Sequence, residues 1–162
     1  MMFNPDTAPG RGSYYLPAFE AAAQTLKVEP IVAPVRSDAE IETVMVALGR
    51  EPRGGLVVMN DGFMFVHRAR IISAADANKV PSVYYDAIFA REGGLLGYGP
   101  DRRDIFRRSA LYVDRILRGA SPADLPVQAP VKFDMALNAR AANALGLTVP
   151  PSIQLLAEEV IQ

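Results

Sequence analysis

The pattern of apolar and polar positions in the amino-terminal half of the chain predicts alternating strands and helices. Short apolar or β-branched runs predict strands, and apolar residues that recur every three or four positions predict amphipathic helices. The predicted strands are residues 1–3, 31–35, 55–59 and 80–85, and the predicted helices are residues 14–26, 37–48 and 66–78. Because single helices separate the strands, this order predicts a parallel sheet with right-handed crossovers.

Three details sharpen this prediction. Residues 55–59 form a continuous apolar run, which is typical of a central strand covered on both faces. Pro34 lies inside the second strand and lacks an N–H donor, so we expect that strand at or near an edge. Ser37 and Glu40 have the spacing of a capping box at a helix start. The expected fold class is α/β, with a parallel sheet between two helical layers.

The carboxyl-terminal half has a different pattern. Residues 93–99 are rich in glycine and are expected to be extended, in a crossing strand where two backbones approach closely. Asp101 is expected to cap a long helix over residues 102–118. The remaining predicted elements are a strand over residues 131–137, a short helix capped by Asn138 and ending at Gly146, and a last helix over residues 150–161.

The composition excludes several classes of function. The chain has 162 residues, of which 50% are hydrophobic and 22% charged, as expected for a globular domain. The net charge of −1 gives no general attraction to nucleic acid. There is no Cys, and His67 is the only histidine, which excludes disulfides, a thiol nucleophile and multi-histidine metal sites. Since no nucleophile motif appears either, we expect neither an enzyme nor a bound metal or cofactor.

Two other features suggest chemistry but have a simpler structural interpretation. Residues 93–99 fit neither the dinucleotide fingerprint nor the Walker pattern, so they are not expected to bind phosphate. Four arginines follow them, but acidic residues alternate with these and no aromatic pattern for base stacking accompanies them. We therefore expect a solvated helix face here. The basic positions are Arg102, Arg103, Arg107 and Arg108, and the acidic ones are Asp101 and Asp104.

A cluster of polar residues follows three of the predicted strands and is the candidate binding site. In an open parallel sheet, ligands bind beyond the carboxyl ends of the strands. Carboxylates bind an ammonium group, amides and hydroxyls bind a carboxylate, and a tyrosine ring stacks. An alternative is that the Asx residues simply form turns and helix caps. The candidate ligand-binding residues are Asn4, Asp6, Thr7, Asn60, Asp61 and Tyr85.

Several longer motifs resemble a known family over essentially the whole chain. They are Phe-Asn-Pro-Asp-Thr-Ala-Pro at 3–9, Tyr-Tyr-Leu-Pro-Ala-Phe-Glu-Ala-Ala-Ala at 14–23, Ala-Pro-Val-Arg-Ser-Asp-Ala-Glu-Ile-Glu at 33–42, Gly-Gly-Leu-Val-Val-Met at 54–59, Gly-Gly-Leu-Leu-Gly-Tyr-Gly at 93–99, Tyr-Val-Asp-Arg-Ile-Leu-Arg-Gly-Ala-Ser-Pro-Ala-Asp-Leu-Pro-Val at 112–127 and Ala-Leu-Gly-Leu-Thr-Val-Pro-Pro-Ser at 144–152. With them the chain resembles the carboxyl-terminal half of ABC-transporter substrate-binding proteins, in the class with tryptophan- and tyrosine-binding members. Gly97 departs from the family, which usually has Ser there.

The resemblance implies a type I periplasmic-binding fold, in which two α/β lobes trap a small solute such as an amino acid. Residues 1–91 would be the second lobe, and residues 92–162 would be the crossover and the segments that return to the first lobe. The implied partners are the solute and an ABC permease in the membrane, without nucleic acid, and the implied location is the periplasm. The alternative function is a cytosolic ligand-sensing or protein-interaction module of the same fold.

Two further expectations follow from the length of the chain. The predicted helix over residues 102–118 would lack the sheet of the first lobe and would expose Phe106, Val113 and Leu117. Such an apolar patch promotes association, so we expect a homo-oligomer. Residues 1–10 contain neither a basic region nor an apolar stretch typical of a signal peptide, so the expected location is cytoplasmic if Met1 is the natural start.

Overall fold

Seven strands form one sheet in the computed structural model, which describes residues 1–162. The strands are β1 (Met2–Phe3), β2 (Ala33–Pro34), β3 (Leu56–Val58), β4 (Ser82–Tyr84), β5 (Leu96–Pro100), β6 (Phe133–Asn138) and β7 (Glu159–Ile161). Their order across the sheet is β2-β1-β3-β4-β5-β6-β7. All neighbouring pairs are parallel except β5 and β6, which are antiparallel. The α/β fold class and the edge position of the strand containing Pro34 are therefore confirmed, with one antiparallel pair in the sheet.

Eight α-helices accompany the strands, and side chains cap several of them as the sequence predicts. The helices are α1 (Leu16–Leu26), α2 (Asp38–Gly49), α3 (Gly62–Val66), α4 (Arg68–Ala77), α5 (Ala87–Arg91), α6 (Arg102–Leu117), α7 (Ala139–Ala144) and α8 (Pro151–Leu156). Ser37 caps α2 by accepting a hydrogen bond from the backbone N–H of Glu40, and the Glu40 carboxylate accepts one from the N–H of Arg36. Asp101 and Asn138 cap α6 and α7, so both of these predicted caps are confirmed.

The main core lies on one face of the sheet, beneath α2, α4 and α5. Fourteen buried residues form it, among them Met2, Ile41, Met45, Tyr84 and Phe89. On the opposite face α1 covers only the region around β1, through a smaller cluster that includes Met1 and Phe3. Beyond α1 that face is partly open, and neighbouring residues of β3 and β4 are 38% and 39% exposed. The second helical layer is therefore incomplete within this chain.

Three parts of the chain differ from the sequence prediction. The helix predicted over residues 66–78 is two helices that meet at His67, and the first begins at Gly62 because Asp61 caps it. A short helix over Ala87–Arg91 is present that the sequence did not predict. The last predicted helix is wrong beyond Leu156, because Glu159–Ile161 is extended and pairs with β6. Both unpredicted elements are short, so tertiary packing decides their conformation.

Helix α6 projects from the sheet with most of its surface exposed. Only Asp104 of its residues is buried. Phe106, Val113 and Leu117 are 75%, 56% and 81% exposed, which confirms the exposed apolar stripe that the sequence predicts. The opposite side of α6 is covered by residues 121–130, where the Tyr112 hydroxyl donates a hydrogen bond to the carbonyl of Pro126.

The sheet runs without interruption through the expected boundary at residue 91. Tyr84 of β4 is in register with Gly97 of β5, and Ala136 of β6 pairs with Gly97 on the other side. The division into lobes at this position stays a prediction.

No helix of the chain has the length and apolar character needed to cross a membrane.

Candidate functional site

The six candidate residues lie together at one edge of the sheet. They follow β1, β3 and β4, which are adjacent in the sheet and parallel, so their carboxyl ends meet. Asp61 joins the β1 and β3 loops, because its carboxylate accepts hydrogen bonds from the backbone N–H of Asn4 at 2.9 Å and from the hydroxyl of Thr7 at 3.0 Å. The same carboxylate caps α3 by accepting the N–H of Met64 at 2.8 Å. Asp61 is 5% exposed, so its carboxylate lies beneath the surface of the site and holds these loops in position.

The loop after β1 is folded by its own side chains. The Asn4 side-chain oxygen accepts the backbone N–H of Asp6 at 2.7 Å, which is an Asx turn, and Asn4 is 4% exposed. The Asp6 carboxylate is exposed and forms an ion pair with Arg36 at 3.2 Å. The turn-and-cap interpretation therefore describes the oxygens of Asn4 and Asp61, whereas Asp6 and Thr7 keep surface that a ligand can reach.

Tyrosines flank the loop that follows β3. The Tyr15 hydroxyl donates a hydrogen bond to the backbone carbonyl of Asn60. The Asn60 side chain is exposed and takes no part in this bond. The Tyr85 hydroxyl donates to the Asp61 carbonyl at 3.5 Å. Burial and the negative charge of Asp61 raise the pKa of both phenols, so both remain hydrogen-bond donors at neutral pH.

A second group of residues, which is absent from the six candidates predicted from the sequence, extends this edge toward β5. Both guanidinium groups of Arg68 and Arg102 lie against the ring of Phe65, with their Cζ atoms 4.8 and 5.2 Å from its centroid. Arg102 Nε is 2.8 Å from a carboxylate oxygen of Asp86, and Arg68 donates at 2.8 Å to Glu92. The sequence signal that could have indicated these residues is their position, since Asp86 and Arg102 follow the ends of β4 and β5.

Two glycines of β5 allow this arrangement. A Cβ atom at Gly99 would lie 1.8 Å from the carbonyl oxygen of Tyr85, and one at Gly97 would lie 2.3 Å from that of Asp86. The loop after β4 therefore rests directly on the backbone of β5. This confirms the predicted close approach of two backbones, and a side chain at position 97 or 99 of this chain would require the loop after β4 to move.

His67 has structural partners outside the site. Its Nδ1 atom lies 2.6 Å from a carboxylate oxygen of Asp38, and its ring stacks on Phe63 with centroids 3.9 Å apart. The imidazole thus connects the junction of α3 and α4 to the start of α2.

Comparison with known proteins places this chain in a family. The family described as ABC transporter substrate binding protein matches residues 1–161. No curated protein matches the chain significantly.

Three solved structures share its fold. A conserved domain protein from Vibrio cholerae O1 biovar eltor superposes with a TM-score of 0.85 at 22% identity, over 98% of this chain and 53% of that one. An ABC domain in complex with L-Trp from Streptococcus pneumoniae gives 0.83 at 22%, over 99% and 55%. A ligand-free, open substrate-binding protein with adhesive properties from Clostridium difficile gives 0.69 at 18%, over 99% and 53%.

The chain therefore spans about half the length of these solved structures. The likeness supports the fold that the sequence resemblance implies, a periplasmic-binding-type α/β domain. The family and the fold are those of substrate-binding proteins, which are not enzymes. The match over residues 1–161 shows that the chain belongs to the ABC transporter substrate-binding protein family.

Proposed function

We propose that this chain is the solute-binding component of an ABC importer, or a truncated form of one, and that a small organic solute such as an amino acid binds at this sheet edge, where a second lobe would close on it. The observation that carries this proposal is the convergence of six polar and aromatic side chains at one sheet edge, in a chain whose family match spans residues 1–161. An amino acid is proposed because these groups complement both an ammonium and a carboxylate. The L-Trp complex of the similar structure from Streptococcus pneumoniae agrees with that choice.

The six residues divide into two roles in this proposal. Asp6, Thr7, Asn60 and Tyr85 offer groups that reach the surface and contact the solute. Asn4 and Asp61 act through the positions of the loops, because their oxygens are already bonded within the protein. Residues 1–91 form the lobe proper, and residues 92–162 include the parts directed toward the other lobe, α6 above all. The proposed partners are the solute and an ABC permease in the membrane. The proposed location of this chain is the periplasm or the outside of the cell.

The proposed solute site is tested by titrating the isotopically labelled chain with the twenty L-amino acids and a set of sugars, amines and short carboxylates, followed by NMR. We expect at least one solute to shift the backbone resonances of Asp6, Asn60 and Tyr85 in a saturable way. Asn60→Ala should weaken that binding, whereas Asn143→Ala, a change at an exposed residue of α7, should leave it unchanged. If no solute shifts these resonances, the proposal is wrong.

We further propose that the chain self-associates through α6. The exposed stripe of Phe106, Val113 and Leu117 supports this, because monomers seldom leave such a contiguous patch in water. Light scattering should give at least twice the 17.5 kDa monomer mass. Phe106→Glu should return the chain to the monomer, and Leu155→Glu, at an equally exposed residue of α8, should not. A monomer of the unaltered chain would contradict this.

The alternative function, a cytosolic ligand-sensing or interaction module, shares the fold and the site. It differs in location and in needing no permease. Fractionation of source cells separates the two: recovery in the periplasm or outside the cell supports the importer, and recovery only in the cytosol supports the module.

A further inference from the structure

Two arginines share one aromatic ring beside the candidate site. Phe65 is half-buried at the end of α3, Arg68 begins α4, and Arg102 begins α6 directly after β5. Guanidinium groups stack on aromatic faces, and such stacking fixes their direction at little entropic cost. The side chains come from two distant parts of the sequence, so the fold itself brings their positive charges together.

Both arginines have a carboxylate partner and remain partly exposed to solvent. Arg68 donates from Nε to Glu92 and from one terminal nitrogen to the Phe65 carbonyl at 3.0 Å. Arg102 lies with Nε 2.8 Å from a carboxylate oxygen of Asp86. The side chains of Arg68 and Arg102 are 29% and 57% exposed, and a small solute can reach these donors.

Two carboxylates hold the arginines in position. Asp86 is itself engaged as the cap of α5, where it accepts the N–H of Ile88 at 2.9 Å, and its side chain is 17% exposed. Glu92 accepts a hydrogen bond from Nε of Arg68. The two terminal nitrogens of a guanidinium group such as that of Arg102 form a planar fork, which matches the two oxygens of a carboxylate.

The pair lies at the edge of the site. Asp61 caps the helix that carries Phe65, and the Tyr85 hydroxyl contacts the Asp61 backbone. Tyr85 precedes Asp86, the partner of Arg102. Burial raises the pKa of Tyr85, whereas the charges of Arg102 and Arg68 lower it, so a solute that contacts Tyr85 lies near both guanidinium groups.

We propose that Arg68 and Arg102, positioned on the ring of Phe65, bind the carboxylate of the solute and make the site selective for carboxylic acids. This inference rests on the proposed function and narrows it to a solute class. Arg102 supplies the more accessible donors, and Arg68 supplies the second charge. Phe65 is a positioning residue that contacts the arginines and not the solute.

The test compares each acid that binds the chain with its own carboxamide, for example L-tryptophan with L-tryptophanamide and phenylacetate with phenylacetamide. Dissociation constants are measured by NMR titration of the full chain. We expect the acid to bind about tenfold or more tightly than its amide, which is the effect of one charge-assisted hydrogen bond. Arg102→Gln and Arg68→Gln should remove that preference, because they weaken binding of the acid more than binding of the amide.

Arg70→Gln is the matched control. Arg70 lies on α4 like Arg68, is half exposed and pairs with Glu42, so its loss should not change the preference for the acid. Phe65→Leu should reduce the preference by releasing the arginines, and Arg102→Lys should keep only part of it, because lysine lacks the planar fork. Circular dichroism verifies that each variant is folded.

The outcomes separate this inference from the proposed function. Equal binding of acids and amides, or preferential binding of sugars or amines at the same residues, would overturn the carboxylate site while the solute-binding role stands. A preference for the acid that survives in both glutamine variants would also overturn it. If no probe binds, the proposed function fails and the inference fails with it.

Discussion

Replacement of Asp61 by Ala tests whether one buried carboxylate holds the candidate site in shape. Asp61 accepts three hydrogen bonds, from the N–H of Asn4, the hydroxyl of Thr7 and the N–H of Met64. These partners belong to the loop after β1 and to the first turn of α3. Alanine removes every acceptor and leaves two buried backbone donors without a partner.

The expected cost follows from these contacts. An unsatisfied buried donor costs about 1–3 kcal/mol, and loss of a helix cap costs about 0.5–2 kcal/mol. The Thr7 hydroxyl is exposed and can bond to water instead, so it contributes little. Since the cap and the Met64 donor describe the same bond, we expect Asp61→Ala to lower the free energy of unfolding by about 3 kcal/mol.

Two further variants separate the hydrogen bonds from charge. Asp61→Asn keeps one oxygen for Met64 but turns an amide group toward the N–H of Asn4, so we expect a loss of about 1–3 kcal/mol from that single donor. Asp6→Ala removes an exposed ion pair with Arg36 in the same loop and should cost less than about 1 kcal/mol.

Urea unfolding followed by circular dichroism gives these free energies. For a chain of this size, the 3 kcal/mol change should also lower the melting temperature by about 6–12 °C. The reasoning is refuted if Asp61→Ala costs no more than Asp6→Ala. The loops after β1 and β3 would then keep their positions without the carboxylate.

Three other predictions follow from the packing and the titrating groups. Gly99→Ala should cost about 1–3 kcal/mol or more in urea unfolding because its methyl group would overlap the backbone after β4, whereas Gly62→Ala, with open space around its Cα, should cost almost nothing. The hydrogen bond from Lys132 lowers the pKa of Asp101 below its unfolded value of 3.8, so the pair stabilises the fold above pH 3.8 and this stabilisation is lost as the pH falls further. Asp101→Asn should make the free energy of unfolding depend less on pH in this acid range. Burial raises the pKa of Tyr84 to about 12, so stability should fall between pH 10 and 12, and Tyr84→Phe should reduce that slope.

The elements that the sequence predicts well are those whose signals are local. Ser37, Asp101 and Asn138 each cap a helix through their own side chain, and each helix begins where the spacing indicates. The edge strand is recognisable because Pro34 removes a donor. In these cases the residues within a few positions decide the structure, so a single sequence suffices.

The errors occur where distant parts of the chain decide the conformation. Residues 159–161 follow a helical pattern, yet they form β7 because β6 lies beside them and offers a free edge. Gly62 begins a helix because Asp61 turns its carboxylate toward Met64 while the same carboxylate binds the loop after β1. Periodicity within one segment contains no information about such partners.

The candidate site divides along the same line. The rule that ligands bind beyond the carboxyl ends of parallel strands assigned Asn60 and Tyr85 to the candidate site without knowledge of any contact. It could not assign Arg68 and Arg102, because one begins a helix after a short preceding helix and the other belongs to a half of the chain with a different pattern. Only the contact of both guanidinium groups with the ring of Phe65 makes them neighbours. If the carboxylate of the solute binds to Arg68 and Arg102, the specificity of this lobe depends on residues that become neighbours only in the folded chain. Their positions in the sequence do not indicate that role.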